Sequence, residues 1–273
     1  MISIELISKG EPSLNDVLES IRNQTYKDYE IICADSSNDI NVKNLLLKYN
    51  CKVFNLPPNS HHLTARYTAH KHAIGDRSLI LDSTRPLKSN ALELLYNKYY
   101  NCDMVILRED SLGNGFWVNQ AKILKQISEM QGDRLSRESL AFLLPRFYNS
   151  KLLSDAFNNA IGETGNLFNE ISYGEHHIIF DECRKISNNI GITNEILLSH
   201  YEDPSLKKIV KKYYWYGKSQ KTLKRLDKSA AGRLSTHIRK KVGIKMRFKT
   251  IPISVARIVP FILGYKLGRD KDQ

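Results

Sequence analysis

No apolar run in this sequence is long enough to cross a bilayer. The most apolar stretch, residues 251–264, is 14 residues long and carries Arg257 and Pro260, against about 20 residues for a spanning helix. No basic-then-apolar leader opens the chain either. Met1 runs straight into the strand-like ISIELI of residues 2–7, so no secretory signal is expected. Cysteine is scarce: Cys33, Cys51, Cys102 and Cys183 are scattered and lack metal-ligand spacing. A reducing, cytoplasmic compartment is therefore expected. Neither G-x-G-x-x-G nor G-x-x-x-x-G-K-[ST] occurs, which removes the backbone cradle for phosphate. Any nucleotide must instead be held by carboxylates, arginine or a metal. The pairs His61-His62 and His176-His177 lack the H-E-x-x-H spacing of a zinc site, and no local Ser-His-Asp signature is present.

What remains is an ordinary globular composition with an uneven charge. The 273 residues are 41% hydrophobic and 26% charged, enough for one large domain with an extension. The net charge is +12, but residues 204–273 hold 20 Lys and Arg against 3 Asp. The first 203 residues hold 21 basic and 26 acidic residues. A mildly acidic body thus carries an intensely basic tail, which points to an anionic partner.

Apolar runs without alternation at 2–7, 29–34, 52–56 and 78–81 read as strands covered on both faces. Helices are expected over 14–24, 41–49, 62–74 and 88–100, with a further strand at 103–107. Ser13 is the expected N-cap of the first helix, with Asp16 in the capping-box place. This alternation with short connections predicts a mostly parallel α/β sheet flanked by helices. Two of the strands stop on a carboxylate, Asp35 and Asp82, which places a polar cleft at their carboxyl ends.

The run DVLESIRNQTYKDYEIICAD of residues 16–35 resembles the opening of family 2 glycosyltransferases, where a helix ending in S-I-x-x-Q-T-Y precedes a strand E-I-I-V-V-D. Thr64-Ala65-Arg66, Ala73-Ile74-Gly75-Asp76 and Leu79-Ile80-Leu81-Asp82-Ser83-Thr84 resemble that family's A-R-N-x-G and A-x-G-D-Y-I-x-x-L-D-x-D segments. The matches cover residues 2–88 in family order. They imply the GT-A fold, a Rossmann-like domain that binds a nucleotide-diphospho-sugar. By the same resemblance Asp35 hydrogen-bonds the nucleobase with Arg66 beside it, and Asp82 holds the ribose or a metal. Ser8, Thr84 and His200 complete the nucleotide-sugar contacts. Thr84 stands where the family has the second Asp of D-x-D, and a hydroxyl is a weak ligand for Mg or Mn. A divalent cation at Asp82, with His200 as a second candidate ligand, is therefore expected to be weakly held or dispensed with.

Residues 174–185 look like the family's E-D segment, in which the Asp is the catalytic base; here the pair is Glu175-His176. A histidine with an unperturbed pKa of about 6.5 can serve as a base, and Glu175 is the alternative. A plainer reading has Glu175 complementing the helix N-terminus. Residues 134–144, polar and then apolar, are expected to help build the acceptor side of the cleft. Ile178, Ile179 and Ile186 are expected to face a core. ILLSH at 196–200 and KKYYWYGKS at 211–219 resemble a strand-then-His element and an aromatic helix of archaeal-looking members of the family. Interleaved basic and aromatic residues also suit single-stranded nucleic acid, the weaker reading here.

The expected organisation is a GT-A domain over 1–203, with a nucleotide-sugar half (1–110) and an acceptor half (111–203). A basic helical region over 204–273 follows. Apolar residues behind Lys/Arg clusters suit an in-plane anchor on anionic lipid across 206–268; a core-packing helix or a homo-oligomer contact are the alternatives. The expected function is an inverting glycosyltransferase acting on a glycan or lipid-linked acceptor at the cytoplasmic membrane face. The alternative is a catalytically impaired nucleotide- or glycan-binding scaffold.

Overall fold

All seven residues of β1 (Ile2–Ser8) are buried, because both faces of the strand are covered. Ile2, Ile4 and Leu6 point to a core shared with α1 (Leu14–Arg22), while Ile7 meets Ile32 and Ala34 of β2 (Tyr29–Asp35) beneath Ala65 and Ala69. The chain is a computed structural model in which residues 1–58, 60–132, 144–225 and 249–267 are described. The remaining elements are α2 (Ile40–Lys48), β3 (Lys52–Asn55), α3 (His62–Lys71), β4 (Arg77–Asp82), α4 (Ala91–Tyr99), β5 (Met104–Leu112), α5 (Phe116–Gly132), β6 (Phe147–Asn149), α6 (Ser150–Thr164), α7 (Glu175–Ile186), β7 (Ile190–Tyr201), α8 (Leu206–Arg225) and α9 (Ile251–Leu267). Most of 134–144 and the basic stretch 226–248 lie outside the described residues.

The strands form one sheet in the order β3-β2-β1-β4-β6-β5-β7. Pairings are parallel except at β6, which runs antiparallel to both β4 and β5. The sheet is therefore mixed but mostly parallel. Four apolar residues of α1, Leu14, Val17, Leu18 and Ile21, recur at helical spacing and are all buried. Each contributes on the order of 1.5–3 kcal/mol by leaving water. On the opposite face α6 and α7 cover Ile80, Met104, Ile106 and Tyr148.

Three local expectations need correction. Ser13 does sit at the N-cap of α1, but its hydroxyl makes no capping bond and donates to the carbonyl of Ser83 at 2.8 Å. Ile178 and Ile179 are buried, whereas Ile186 is 49% exposed at the last turn of α7. Strand β5 runs to Leu112, five residues beyond expectation, because its polar half pairs with β7.

The segment after β4 is tied along the far edge of β7. Tyr201 N–H donates to the Thr84 carbonyl (3.0 Å), Ser199 N–H to Pro86 (2.9 Å), and Lys88 N–H to Leu197 (2.8 Å). At the C-terminal end α8 and α9 lie side by side. Ile209 packs with Ile253 and Ala256, Arg257 lies over the ring of Tyr213, and Gly217 meets the backbone of Phe261. Among the described residues no helix is long and apolar enough to cross a membrane.

Candidate active site

Three strand ends share one line. The parallel register sets Ser8 of β1 opposite Asp35 of β2, and Ile7 opposite Asp82 of β4. The chain lays β2 and β3 on one side of β1 and returns to place β4 on the other. Ligands of open α/β sheets bind at such a reversal. A cavity of about 380 Å³ opens there, lined by Ser8, Arg66, Asp82, Thr84, Glu175, His176 and His200 among others.

Asp82 is surrounded by guanidinium groups. Arg66 reaches it from α3, whose Leu63, Ala65 and Ala69 are packed down onto the sheet. Arg85 returns to it across the turn closed by Arg85 N–H and the Asp82 carbonyl (3.0 Å). Arg146 arrives at 3.3 Å because its backbone bridges Val105 and Ile80 just before β6. Burial alone would raise the Asp82 carboxyl, but Arg85, Arg66 and Arg146 hold it well below the usual carboxylate range. Burial and its neighbour Arg85 bring Arg146 down to about 10.

Helix α7 enters the cavity end-on. Its N-cap, Gly174, has φ +91°, and an added Cβ would lie 2.6 Å from the Leu223 side chain, so glycine suits the position. Glu175 Oε1 then lies 3.5 Å from Arg66 Nε and 3.7 Å from His176 Nε2. Arg66 Nη2 is 2.8 Å from His176 Nε2. A guanidinium only donates, so Nε2 accepts and the imidazole proton sits on Nδ1. Burial, reinforced by Arg66 and Arg146, pushes His176 well below its ordinary pKa. It is neutral at pH 7.

Asp35 stands apart from this group. Its carboxylate accepts from the Ser37 hydroxyl (2.7 Å) and N–H (3.3 Å), and Ser36 rather than Asp35 lines the cavity. Arg66, expected beside Asp35, is engaged with Asp82. His200 lies on β7 with Nδ1 3.1 Å from Glu202, and burial and Arg85 bring it down to about 4. A second cavity of about 380 Å³ shares Arg85, Arg146, His176, His200 and Lys212 with the first and adds Glu109, Lys125, Glu202, Ile253 and Arg257.

The residues present do not fit a divalent cation. Mg and Mn favour carboxylate and water oxygens, and Asp82, Glu109 and Glu202 are each matched to cations. Asp82 has three arginines, Glu109 has Arg85 and Lys125 (2.8 Å), and Glu202 has Lys125 (3.0 Å). Among the described residues no group of three or more His, Cys, Asp or Glu is placed to hold a metal. Sequence reading passed over Arg85 and Arg146. Arg85 carries a legible signal, three residues past a strand-ending Asp at the start of a turn. Arg146 carries none, since its position depends on a three-residue antiparallel strand.

Residues 6–142, half of the chain, match the profile of Glycosyl transferase family 2. The chain belongs to this family. The family match spans most of β1 through α5 and so contains Asp35, Arg66, Asp82 and Thr84, while Glu175 and His200 lie beyond it. A stretch of 107 residues is 32% identical to the uncharacterized glycosyltransferase YwdF of Bacillus subtilis (strain 168), covering 38% of this chain and 40% of YwdF. Among solved structures, S. aureus TarS 1-349 in complex with UDP-GlcNAc superposes with a TM-score of 0.59 at 16% identity, over 97% of this chain and 81% of that one. The same TarS fragment in complex with UDP gives 0.57 at 18% identity. A longer TarS chain gives 0.56 at 15%, with 91% of this chain matching 47% of that one. These likenesses establish the GT-A fold of this family member. The chain spans less than half the length of YwdF and of the longer TarS chain.

Proposed function

We propose that this family 2 member is an inverting transferase that moves a sugar from a nucleotide-diphospho-sugar to a hydroxyl of a glycan or lipid-linked acceptor. The observation that carries this reading is the convergence of Arg66, Asp82 and Glu175 on one cavity at the strand-order reversal. In this reading the first cavity takes the donor and, on its Glu175 side, the acceptor hydroxyl, while the rest of the acceptor lies in the second cavity across Arg85, Arg146 and His176. Glu175 is the base. Its carboxylate removes the acceptor proton as the acceptor oxygen attacks the anomeric carbon. The bond from that carbon to the diphosphate breaks on the opposite face, and its electron pair leaves on the phosphate oxygen. Neutral His176, its Nε2 lone pair committed to Arg66, holds that guanidinium against Asp82. The Asp35 carboxylate lies one residue from the cavity wall and is proposed to meet the nucleobase.

The acceptor is proposed to be membrane-proximal. Val255, Ile258, Val259, Ile262 and Leu263 of α9 are each 44–53% exposed, and Lys207, Lys208 and Lys211 of α8 are exposed beside Leu206 and Val210. An apolar strip next to lysines matches an anionic lipid surface. The same helices present Lys212, Ile253 and Arg257 to the second cavity. A lipid-linked acceptor would then arrive from the surface on which the protein rests.

Calorimetric titration with UDP- and GDP-sugars, followed by assay of nucleotide diphosphate release with lipid-linked acceptors, tests the reading. Micromolar donor binding with acceptor-dependent release supports it. Donor binding without release for any acceptor favours a non-catalytic scaffold, and no binding of either nucleotide class refutes the donor site.

A further inference from the structure

We infer that Arg85 and Arg146, backed by Arg66, grip the diphosphate of the donor directly and take the place that a divalent cation would otherwise have at Asp82. The inference rests on the nucleotide-diphospho-sugar reading and adds how the charge of that ligand is met.

The sequence change and the geometry point the same way. Asp82 is followed by Ser83-Thr84-Arg85, so the second carboxylate is a hydroxyl and the next residue is a cation. Arg85 folds back onto Asp82, and Arg146 meets the same carboxylate at 3.3 Å from the other side. A cation approaching Asp82 would have to displace guanidinium groups and then sit among three positive charges. A phosphate oxygen approaching the same point meets donors instead. Arginine suits this task because its fork of N–H groups matches phosphate geometry.

The charge of the whole wall agrees. The first cavity is lined by five Lys or Arg and three Asp or Glu, with His176 and His200 neutral. Its surplus is positive. The α7 N-terminus faces the same space without a side-chain cap, adding the partial positive charge of its N–H groups.

One buried group supplies an independent pointer to an anion. Arg66 is 2% exposed, and its Nη1 has no hydrogen-bond acceptor. A buried guanidinium N–H without an acceptor is costly, and natural sites seldom leave one so. A phosphate oxygen in the cavity would satisfy it. Arg85 also sits close enough to Arg146 to disfavour its charge, a repulsion that a further anion beside Arg146 relieves.

The test is isothermal titration of the full chain with UDP and with GDP, once in EDTA and once in excess Mn²⁺. The expected result is that the nucleotide that binds does so with the same affinity, within about twofold, in both buffers. Arg146→Gln should weaken it roughly ten- to a hundredfold, the range for one charge-assisted hydrogen bond, with no recovery on adding Mn²⁺. Arg146→Lys should recover part of the loss, since it restores charge without the fork. Binding that requires Mn²⁺ would overturn the inference while leaving the donor site intact. Failure of both nucleotides in both buffers would overturn the donor reading and this inference together. The comparison of EDTA with Mn²⁺ uses the unaltered chain, so a variant that fails to fold does not decide the outcome.

Discussion

Nη2 of Arg66 and Nε2 of His176 are 2.8 Å apart, with the arginine as donor. This contact occupies the one lone pair with which the neutral imidazole could accept a proton. Glu175 keeps a carboxylate beside the same arginine, which is why it is the residue proposed as the base. Glu175→Gln should therefore lower kcat by about 10²–10⁴-fold, the usual worth of a general base, with little change in donor KM. His176→Gln should cost less than tenfold in kcat and act chiefly on donor KM, through loss of the hold on Arg66. Steady-state release of nucleotide diphosphate separates the two, and the reverse pattern would move the base to His176.

Acid should loosen the fold through His200. Burial and Arg85 lower its pKa from 6.5 to about 4. Between those values the unfolded chain binds a proton that the folded chain does not, so stability falls as pH drops through that window. The contribution is on the order of 3 kcal/mol at most. Thermal melts at pH 7 and pH 5 should show a smaller acid-induced loss for His200→Gln than for the unaltered chain. An identical loss would mean that His200 is not neutral in the fold.

The contact between α8 and α9 depends on glycine. An added Cβ at Gly217 would lie 1.9 Å from the Phe261 carbonyl oxygen, and one at Gly264 would lie 1.9 Å from that of Tyr214. Both obstacles are backbone, so the helices would have to part. Gly217→Ala should cost roughly 1–3 kcal/mol by overpacking. At about 2–4 °C per kcal/mol for a chain near this size, that is a loss of several degrees in Tm, read by calorimetry. An unchanged Tm would show that the helices do not meet at these glycines.

Lipid attachment predicts a dependence on both vesicle charge and the apolar strip. The protein should sediment with phosphatidylglycerol-containing vesicles and much less with pure phosphatidylcholine, and added salt should release it. Ile258→Asp combined with Ile262→Asp should abolish sedimentation while leaving nucleotide affinity unchanged, since neither residue lines a cavity. Equal sedimentation of the double variant would place attachment elsewhere.

The first part of the sheet was legible in the sequence because its signals are local. Uniform apolar runs announced β1, β2 and β4, and a carboxylate at the end of the latter two announced the cleft. What stayed hidden depended on contacts between distant segments. β6 is three residues long, too short for any periodicity, yet it sets Arg146 against Asp82. Ser13 looked like a capping residue because its place in the chain allows it, but its backbone is already helical (φ −81°, ψ −2°) and its hydroxyl donates to the Ser83 carbonyl instead of accepting from the first turn. Arg85 drew no notice beside Pro86, yet its side chain answers a carboxylate three residues back. Asp35 and Arg66, joined by the family resemblance, take different partners: the Asp35 carboxylate is met by Ser37 and the Arg66 guanidinium by Asp82.

The ladder between residues 84–88 and β7 has a mechanical consequence. Hydrogen-bonded strands do not slide by fractions: they hold their register, or they break several bonds at once and shift by two residues. Thr84 of the first cavity, and Arg85 and His200 where the two cavities meet, are thus carried on a single ruled edge, with their separation counted in backbone bonds. In a reaction joining a group held in one cavity to a group held in the other, the gap to be crossed is set when the chain folds, and the substrates are what move to fit it.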